Sequence, residues 1–568
     1  MSEPPILNKL LLFSFLLPII SVLSTLISTL TGDGLFLVLF IFILEAFVAT
    51  VLFLSRYKSA SKSNMLRFLL FINTSLYLPT IMTKDAILGG DLGREMFLAN
   101  LLKNIGNTEL INIDDQVLYT GYTFFIAVFR ATTEVNALLA VYGMYMVYCV
   151  LMTVLLHIIL SKLTNVNNTT IALFTTLSMS QYLFLYASQQ SLRTTGWISI
   201  LLIIILASLL DDRMEKFLVM STLFIGLAIH YYAYSYLLAL FLPLIMALYF
   251  SIIRSNNMRI WYAISMTFVI STVLWNLFSS SVFGTIISAA IRNFIRSINE
   301  ISVAHPQEAS YIEAFEQTVS FKAITLLNIA FIVTIYITVL VAVINILKNK
   351  QEDSPLIFWL TFWSGIITLM GFSSPVRLTL GLNRVIGISV LLSLLYISKL
   401  MPSLNRAWQR LIGILFLVLL FSTITINTGV FQYILNDHEN GFTYIDLNSR
   451  RYLEWSVPVY DLTGYEFLVV YGEHTHLYIN VLTHTYADNI FFLYFSLKPH
   501  IYNVTYLALR SSEATNIAIL RCVNVKTSTI LKRGEFLGIE RPLNLTDLFL
   551  HNNKLYDNKY FIIVEHHD

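Results

Sequence analysis

Residues 35–54 read LFLVLFIFILEAFVATVLFL. This near-continuous apolar run has the length that a helix needs to cross the hydrocarbon core of a bilayer, roughly 20 residues. Working outward, twelve further runs of the same kind fall near 10–30, 66–82, 135–160, 169–186, 194–210, 217–232, 235–253, 260–280, 323–346, 356–372, 385–399 and 410–429. The whole chain agrees with the local reading. Of its 568 residues, 56% are hydrophobic and 12% charged, whereas soluble domains carry about 25% charged residues. So little charge cannot cover a water-soluble surface, so apolar surface must face lipid. The sequence therefore predicts a polytopic α-helical membrane protein with about thirteen transmembrane helices over residues 1–429.

The first run lacks a small-residue cleavage site of the A-x-A kind and reads as an anchor, not a removed signal peptide. A net charge of +2 argues against a nucleic-acid footprint. Cys149 lies in an apolar run and Cys522 in the tail, so neither a disulfide between them nor a metal-ligand spacing is expected.

Basic residues set the orientation, because cytoplasmic loops of membrane proteins are enriched in lysine and arginine. With the N-terminus inside, the inner loops hold Arg56, Lys58, Lys62, Arg67, Lys162, Arg213, Lys216, Arg254, Arg259, Lys348, Lys350, Lys399, Arg406 and Arg410. The outer loops are longer yet hold fewer cations. An odd number of spans places the tail outside, so the expectation is an integral protein of the cell membrane with a cytoplasmic N-terminus and an extracytoplasmic C-terminal domain. The 217–253 hairpin has no charged turn and is the weakest element of that count.

Two outer loops are large, 83–117 and 281–322. In the first, Leu92 to Ile105 has the spacing of an amphipathic helix, and the apolar stretch 117–129 that follows is too short to span. The second carries Glu300, His305, Glu308, Glu313 and Glu316, a pattern expected mainly of a solvated helix face. From about residue 430 the composition changes. Alternating β-rich runs appear at Phe467–Tyr471, His476–Leu482, Ile490–Ser496, Asn516–Arg521 and Tyr560–Glu565, with Asp461-Leu-Thr-Gly464 and His551-Asn-Asn-Lys554 as turns between runs. Residues 430–568 are thus expected to form a small extracytoplasmic α/β domain. Asn503-Val-Thr and Asn544-Leu-Thr match the glycosylation acceptor pattern, which suits that side of the membrane.

The 83–117 loop is the most informative for chemistry. Asp91 and Glu95 are four apart and share one face of a helix that starts near Asp91, where Asp91 would also cap it. A carboxylate just outside an apolar bundle can act as general base toward an acceptor hydroxyl, or it can bind a divalent cation, Mg or Mn, together with Glu95. An N-cap followed by a solvated face explains the same spacing. Arg193, Arg377 and Arg384 lie in short outer loops and can hold a phosphate in a bidentate manner; each alone also fits an arginine snorkelling to headgroups. Lys84 and Arg94 add cations to the Asp91 loop. His230 opens His-Tyr-Tyr-Ala-Tyr-Ser-Tyr near an outer helix end, where an ionisable residue is a functional candidate and where an aromatic belt would look alike. No phosphate-cradling glycine loop, zinc spacing or G-x-S-x-G is present.

These residues carry a resemblance. Gly90-Asp91-Leu92-Gly93-Arg94-Glu95-Met96 resembles the G-x-D-[IL]-x-x-E-[YM] stretch of archaeal membrane proteins in the GT-C superfamily of polytopic glycosyltransferases. Ser188-Gln-Gln-Ser-Leu-Arg193 and Ile229-His-Tyr-Tyr232 are similar to their later outer segments. Asn553-Lys-Leu-Tyr-Asp-Asn-Lys-Tyr-Phe-Ile-Ile-Val564 is similar to their terminal motif, with Lys559 where glycine is usual. The resemblance implies a sugar donor linked to polyprenyl phosphate, a glycan, lipid or protein acceptor, inverting transfer, and Asp91 as catalytic base with Glu95 beside it. It assigns Arg193, Arg377, Arg384, His230, Lys84 and Arg94 to substrate binding. The 187–196 loop lacks the second acidic pair of metal-dependent members, which leaves the divalent cation open. Two spans precede the Asp91-loop helix where the superfamily usually has one, so an N-terminal hairpin is added to the shared core.

Two other readings compete. A lipid or polysaccharide transporter predicts charges near the bilayer midplane and two related halves with broken helices, whereas the charges here are expected at the outer rim. A non-catalytic assembly protein predicts that Asp91 is dispensable.

Overall fold

The computed structural model describes residues 5–31, 33–57, 61–82, 137–163, 168–187, 192–210, 212–253, 258–278, 319–349, 355–372, 382–435 and seven short strands between 479 and 566. The helices are α1 (Pro5–Phe13), α2 (Leu16–Thr31), α3 (Leu35–Tyr57), α4 (Lys62–Met82), α5 (Ala137–Leu163), α6 (Asn168–Ala187), α7 (Leu192–Ala207) and α8 (Arg213–His230). They continue as α9 (Tyr232–Ile252), α10 (Met258–Phe278), α11 (Val319–Asn349), α12 (Pro355–Phe372), α13 (Leu382–Leu400), α14 (Arg406–Thr428) and α15 (Val430–Ile434).

Among the described residues, eight helical segments are long and apolar enough to cross a membrane. They are Lys9–Thr31, Leu35–Ser55, Gly143–Leu163, Tyr234–Ile252, Met258–Trp275, Lys322–Lys348, Val385–Ser403 and Arg406–Thr428. The chain is a helical integral membrane protein. Thr194–Ala207 and Pro355–Leu369 are shorter apolar helices. Of the remaining helices, α4, α6 and α8 coincide with apolar runs of the sequence but are more polar, and α15 is a single short turn.

For α4 and α6 the polarity has a structural reason. Helix α6 packs against α3, α4, α5, α13 and α14, and every residue from Ile171 to Gln181 is buried. A helix enclosed on all sides need not be apolar on any face. It can carry Thr175, Thr176, Ser178, Ser180 and Gln181, all buried, because small and polar residues let membrane helices approach closely and bond across. Asn73 and Ser75 of α4 are likewise buried. The periphery is the reverse: on α11, Leu326, Val333, Ile337, Leu340 and Leu347 are exposed, a lipid-facing surface.

Helix ends follow local chemistry. The helix is interrupted at Ser14–Phe15 within the span Lys9–Thr31, and Pro18 then stands in the first turn of α2, where its missing N–H costs nothing. The Asp212 carboxylate accepts from the Glu215 N–H at 2.8 Å to cap α8. Pro402 lies in the short 3-10 turn Met401–Ser403, and Asn405 caps α14 through the Trp408 N–H at 3.0 Å. Gly429, at φ 88°, ends α14 in the left-handed conformation that favours glycine.

In the C-terminal part, β2 (Tyr502–Tyr506), β1 (Ile479–Thr483), β3 (Thr515–Leu520), β7 (Ile562–His566) and β6 (Asn553–Asp557) form one sheet in that order. Strand β1 runs parallel to both β2 and β3, while β7 is antiparallel to β3 and β6. A separate pair joins β4 (Thr529–Arg533) to β5 (Gly538–Pro542). Strands β1, β3 and β7 overlap runs expected from alternation, whereas 467–471 and 490–496 lie outside the described residues. The expected turn His551–Lys554 is corrected at its end: Asn553 and Lys554 belong to β6 and pair with Glu565 and Val564. The terminal Asn553–Val564 motif is therefore a β6–β7 hairpin with a register shift between Lys554 and Tyr556. Asn503 of the first acceptor pattern lies in the edge strand β2.

Candidate functional site at one end of the bundle

Cross-helix contacts tie the helices together near one end. The Tyr77 hydroxyl of α4 donates to Met179 O of α6 at 3.5 Å. Asn427 Nδ2 of α14 donates to Ser180 O at 3.3 Å. Trp197 Nε1 of α7 donates to Ser235 Oγ of α9 at 3.0 Å. Asn73 Nδ2 donates to Thr153 Oγ1 of α5 at 3.0 Å. The opposite end is fixed separately, with Ser55 and Thr169 hydroxyls 2.9 Å apart. From the first end the chain leaves α4 toward residues 83–136 and leaves α6 toward Arg193. There it turns at Tyr231, and there it leaves α12 toward 373–381, the segment that holds Arg377.

His230 is the last residue of α8 and is 4% exposed. Tyr231 is extended (φ −151°, ψ 117°), so the chain breaks there and restarts as α9. The Ser235 hydroxyl donates back to Leu227 O at 2.8 Å, satisfying one of the carbonyls orphaned at the end of α8. The His230 ring lies against Gly196 of α7; a Cβ there would overlap Nε2 and Cε1 and would come within 3.1 Å of the Tyr148 hydroxyl. Glycine is required here by close approach, not by its backbone angles. The Tyr234 ring lies tilted, 5.4 Å between centroids, against both Trp197 and Tyr231, and Trp197 lies 6.0 Å from Trp363. Tyr231 and Tyr234 are buried, so this part of the tyrosine cluster is interior packing and not an aromatic belt at the membrane surface.

The other candidates divide in two groups. Arg193 is the second residue of α7 and Arg384 the third of α13, so both stand in first turns of helices that begin at this end. Helix α5 packs against both α7 and α13. The side chains of Arg193 and Arg384, and all of Lys84, Asp91, Arg94, Glu95 and Arg377, lie outside the described residues, as do the 92–105 helix, the 117–129 stretch and the acidic 300–316 segment. What the structure brings together is the first turn of α7, the end of α8 and the start of α9, through Gly196, Trp197, His230 and Ser235. Among the described residues, Gln181 Oε1, Thr194 Oγ1 and Gln432 Oε1 are buried without a hydrogen-bond partner. Among the described residues no cluster of three His, Cys, Asp or Glu side chains gathers to hold a metal.

One charged residue corrects the reading that charge is confined to the rim. Glu45 lies ten residues from each end of the 21-residue segment Leu35–Ser55, at the centre of that apolar span. Its Oε1 accepts from Thr425 Oγ1 of α14 at 2.8 Å. The signal was a single acidic residue inside an otherwise apolar run, and the run length masks it. Gly196 was equally hidden, since nothing local distinguishes a glycine needed for close approach.

No protein-family model matches the sequence, and no curated protein matches it.

Proposed function

We propose that this chain is a membrane glycosyltransferase of the GT-C type. It moves a sugar from a polyprenyl-phosphate donor to an extracytoplasmic glycan, lipid or protein acceptor, with Asp91 as general base. The observation that carries the reading is the shared end of the bundle: α4 and α12, which lead toward Asp91 and Arg377, end there, α8 ends there at His230, and α7 and α13, with Arg193 and Arg384 in their first turns, begin there. Helices α7 and α13 both begin there, so their positive dipole ends and the arginines of their first turns favour the same anionic group. A phosphate leaving group needs that kind of stabilisation.

In this mechanism the donor enters from the lipid, and its phosphate is held by Arg193, Arg377 or Arg384, with Lys84 and Arg94 as further cations. Asp91 takes the proton from the acceptor hydroxyl as that oxygen attacks the anomeric carbon. The bond from that carbon to the phosphate oxygen breaks, the configuration inverts, and polyprenyl phosphate leaves. Glu95 and His230 orient sugar or acceptor. Among the described residues, the buried oxygens Gln181 Oε1, Thr194 Oγ1 and Gln432 Oε1, which lack a hydrogen-bond partner, give this end polar capacity suited to a hydroxyl-rich ligand. Thirteen crossings, a cytoplasmic N-terminus and an α/β domain beyond residue 430 complete the proposed arrangement.

The test is transfer by purified protein from labelled polyprenyl-phosphate sugars to membrane-extract acceptors. A general base contributes roughly 10²–10⁴-fold, so Asp91→Asn should lower turnover by about that factor without changing expression. Equal turnover in wild type and variant removes Asp91 from the chemistry. Absence of transfer from every donor tried, with measurable movement of donor across vesicles, favours a transporter.

A further inference from the structure

Glu45 has a hydrogen bond from Thr425 and, among the described residues, no cation beside it. Four helices pack against α3: α1, α2, α6 and α14. Along α2 and α6 there is no basic residue. Arg406 and Arg410 of α14 stand at the far end of that helix, about four turns from Thr425. Lys9 of α1 is exposed. Among the described residues the carboxyl is thus uncompensated, at the centre of the Leu35–Ser55 span.

Its surroundings open to lipid. On α14, Leu411, Leu415 and Val418 are 51–57% exposed, and Thr425 continues that stripe at helical spacing from Val418. On α3, Phe42 and Leu39 are 45% and 49% exposed, about one and two turns from Glu45. Glu45 and Thr425 are both half-buried, so the acid lies at the floor of a lipid-facing seam that is otherwise apolar along these positions.

We propose that this seam is the docking surface for a transmembrane helix of another protein, one that carries a lysine or arginine at the level of Glu45. An apolar helix face with one central cation complements an apolar seam with one central acid. Polar groups inside a bilayer direct helices to one another because hydrocarbon offers no alternative partner. A second copy of this chain fits less well, since the same seam would set a second carboxyl opposite the first. The place of Glu45 within an apolar span argues against a soluble partner. The inference is independent of the glycosyltransferase reading.

The test uses the full chain in phosphatidylcholine vesicles and a fluorescent polyleucine transmembrane peptide with either lysine or leucine at its centre. Energy transfer to a label on the protein reads association. The lysine peptide should bind about tenfold more tightly than the leucine peptide. Glu45→Gln and Glu45→Leu should each remove that preference; Glu45→Gln keeps an oxygen for Thr425 and so controls for loss of the native contact. Equal binding of the two peptides to the wild type, or a lysine preference that survives both substitutions, overturns the proposal. Self-association of the chain that depends on Glu45 also overturns it and assigns the seam to a second copy.

Discussion

The Tyr433 hydroxyl donates a hydrogen bond to Asp33 Oδ1 at 2.5 Å, joining positions 400 residues apart. Asp33 lies in the turn between α2 and α3, and Tyr433 lies in α15, just past the last long helix. The bond closes the N-terminal hairpin against the point where the chain leaves the bundle for its C-terminal part. It also holds the Asp33 carboxyl below its ordinary value of 3.8, with the Leu35 N–H as a second, smaller cause. A carboxyl whose folded value is depressed stabilises the fold above its unfolded value, and that contribution is lost as pH falls through the folded one. The tie should therefore hold at neutral pH and at pH 4, and release only on acidification below 3.8. Spin labels at Thr31 and Leu435 should report a distance that broadens in that range, and Tyr433→Phe, which removes the bond, should leave it broad at every pH.

Gly196→Ala should destabilise the bundle by about 1–3 kcal/mol, the usual cost of overpacking a tight contact. The added methyl meets an imidazole ring in a buried site, not the free end of a flexible chain. Thermal unfolding in detergent should show a lower midpoint for Gly196→Ala, and His230→Ala in the same background should recover part of the loss. An unchanged midpoint in Gly196→Ala would mean that α7 and α8 are not in contact here.

A double-mutant cycle on Asn73 and Thr153 should give a coupling of about 0.6 kcal/mol, the average for hydrogen bonds between membrane helices. Asn73→Leu alone should cost little, because it also removes the buried Asn73 Oδ1, which has no partner among the described residues. Unfolding in mixed micelles measures both. A coupling near zero would separate α4 from α5 at this level.

Much of the helical layer was legible because hydrophobic run length is a direct consequence of bilayer thickness. Each described long helix falls on an expected apolar run. What the runs conceal is which faces meet. Helix α6 reads like any other span, yet it is the enclosed one, and its threonines and serines are spread along the helix with no single polar face. Glu45 and Gly196 are single residues whose roles depend on neighbours from other helices, Thr425 in one case and His230 in the other. The tyrosines after His230 show the limit of composition: a belt at the membrane surface and a packed interior use the same residues. Asp91 and Glu95 remain a matter of motif, since their segment lies outside the described residues.

The account turns on the claim that α2, α4, α6, α8, α10, α12 and α14 all end at the non-cytoplasmic face, where the candidate residues leave the bundle. Single cysteines in a Cys522→Ser background, with buried Cys149 retained, test this most directly. In sealed right-side-out vesicles, a membrane-impermeant maleimide should label Thr31→Cys and Leu435→Cys at once. It should label Ser63→Cys, Met214→Cys and Ser403→Cys only after the membrane is opened. Labelling of Thr31→Cys and Leu435→Cys from opposite sides, or of Met214→Cys before opening, would contradict the shared end and with it the proposed site.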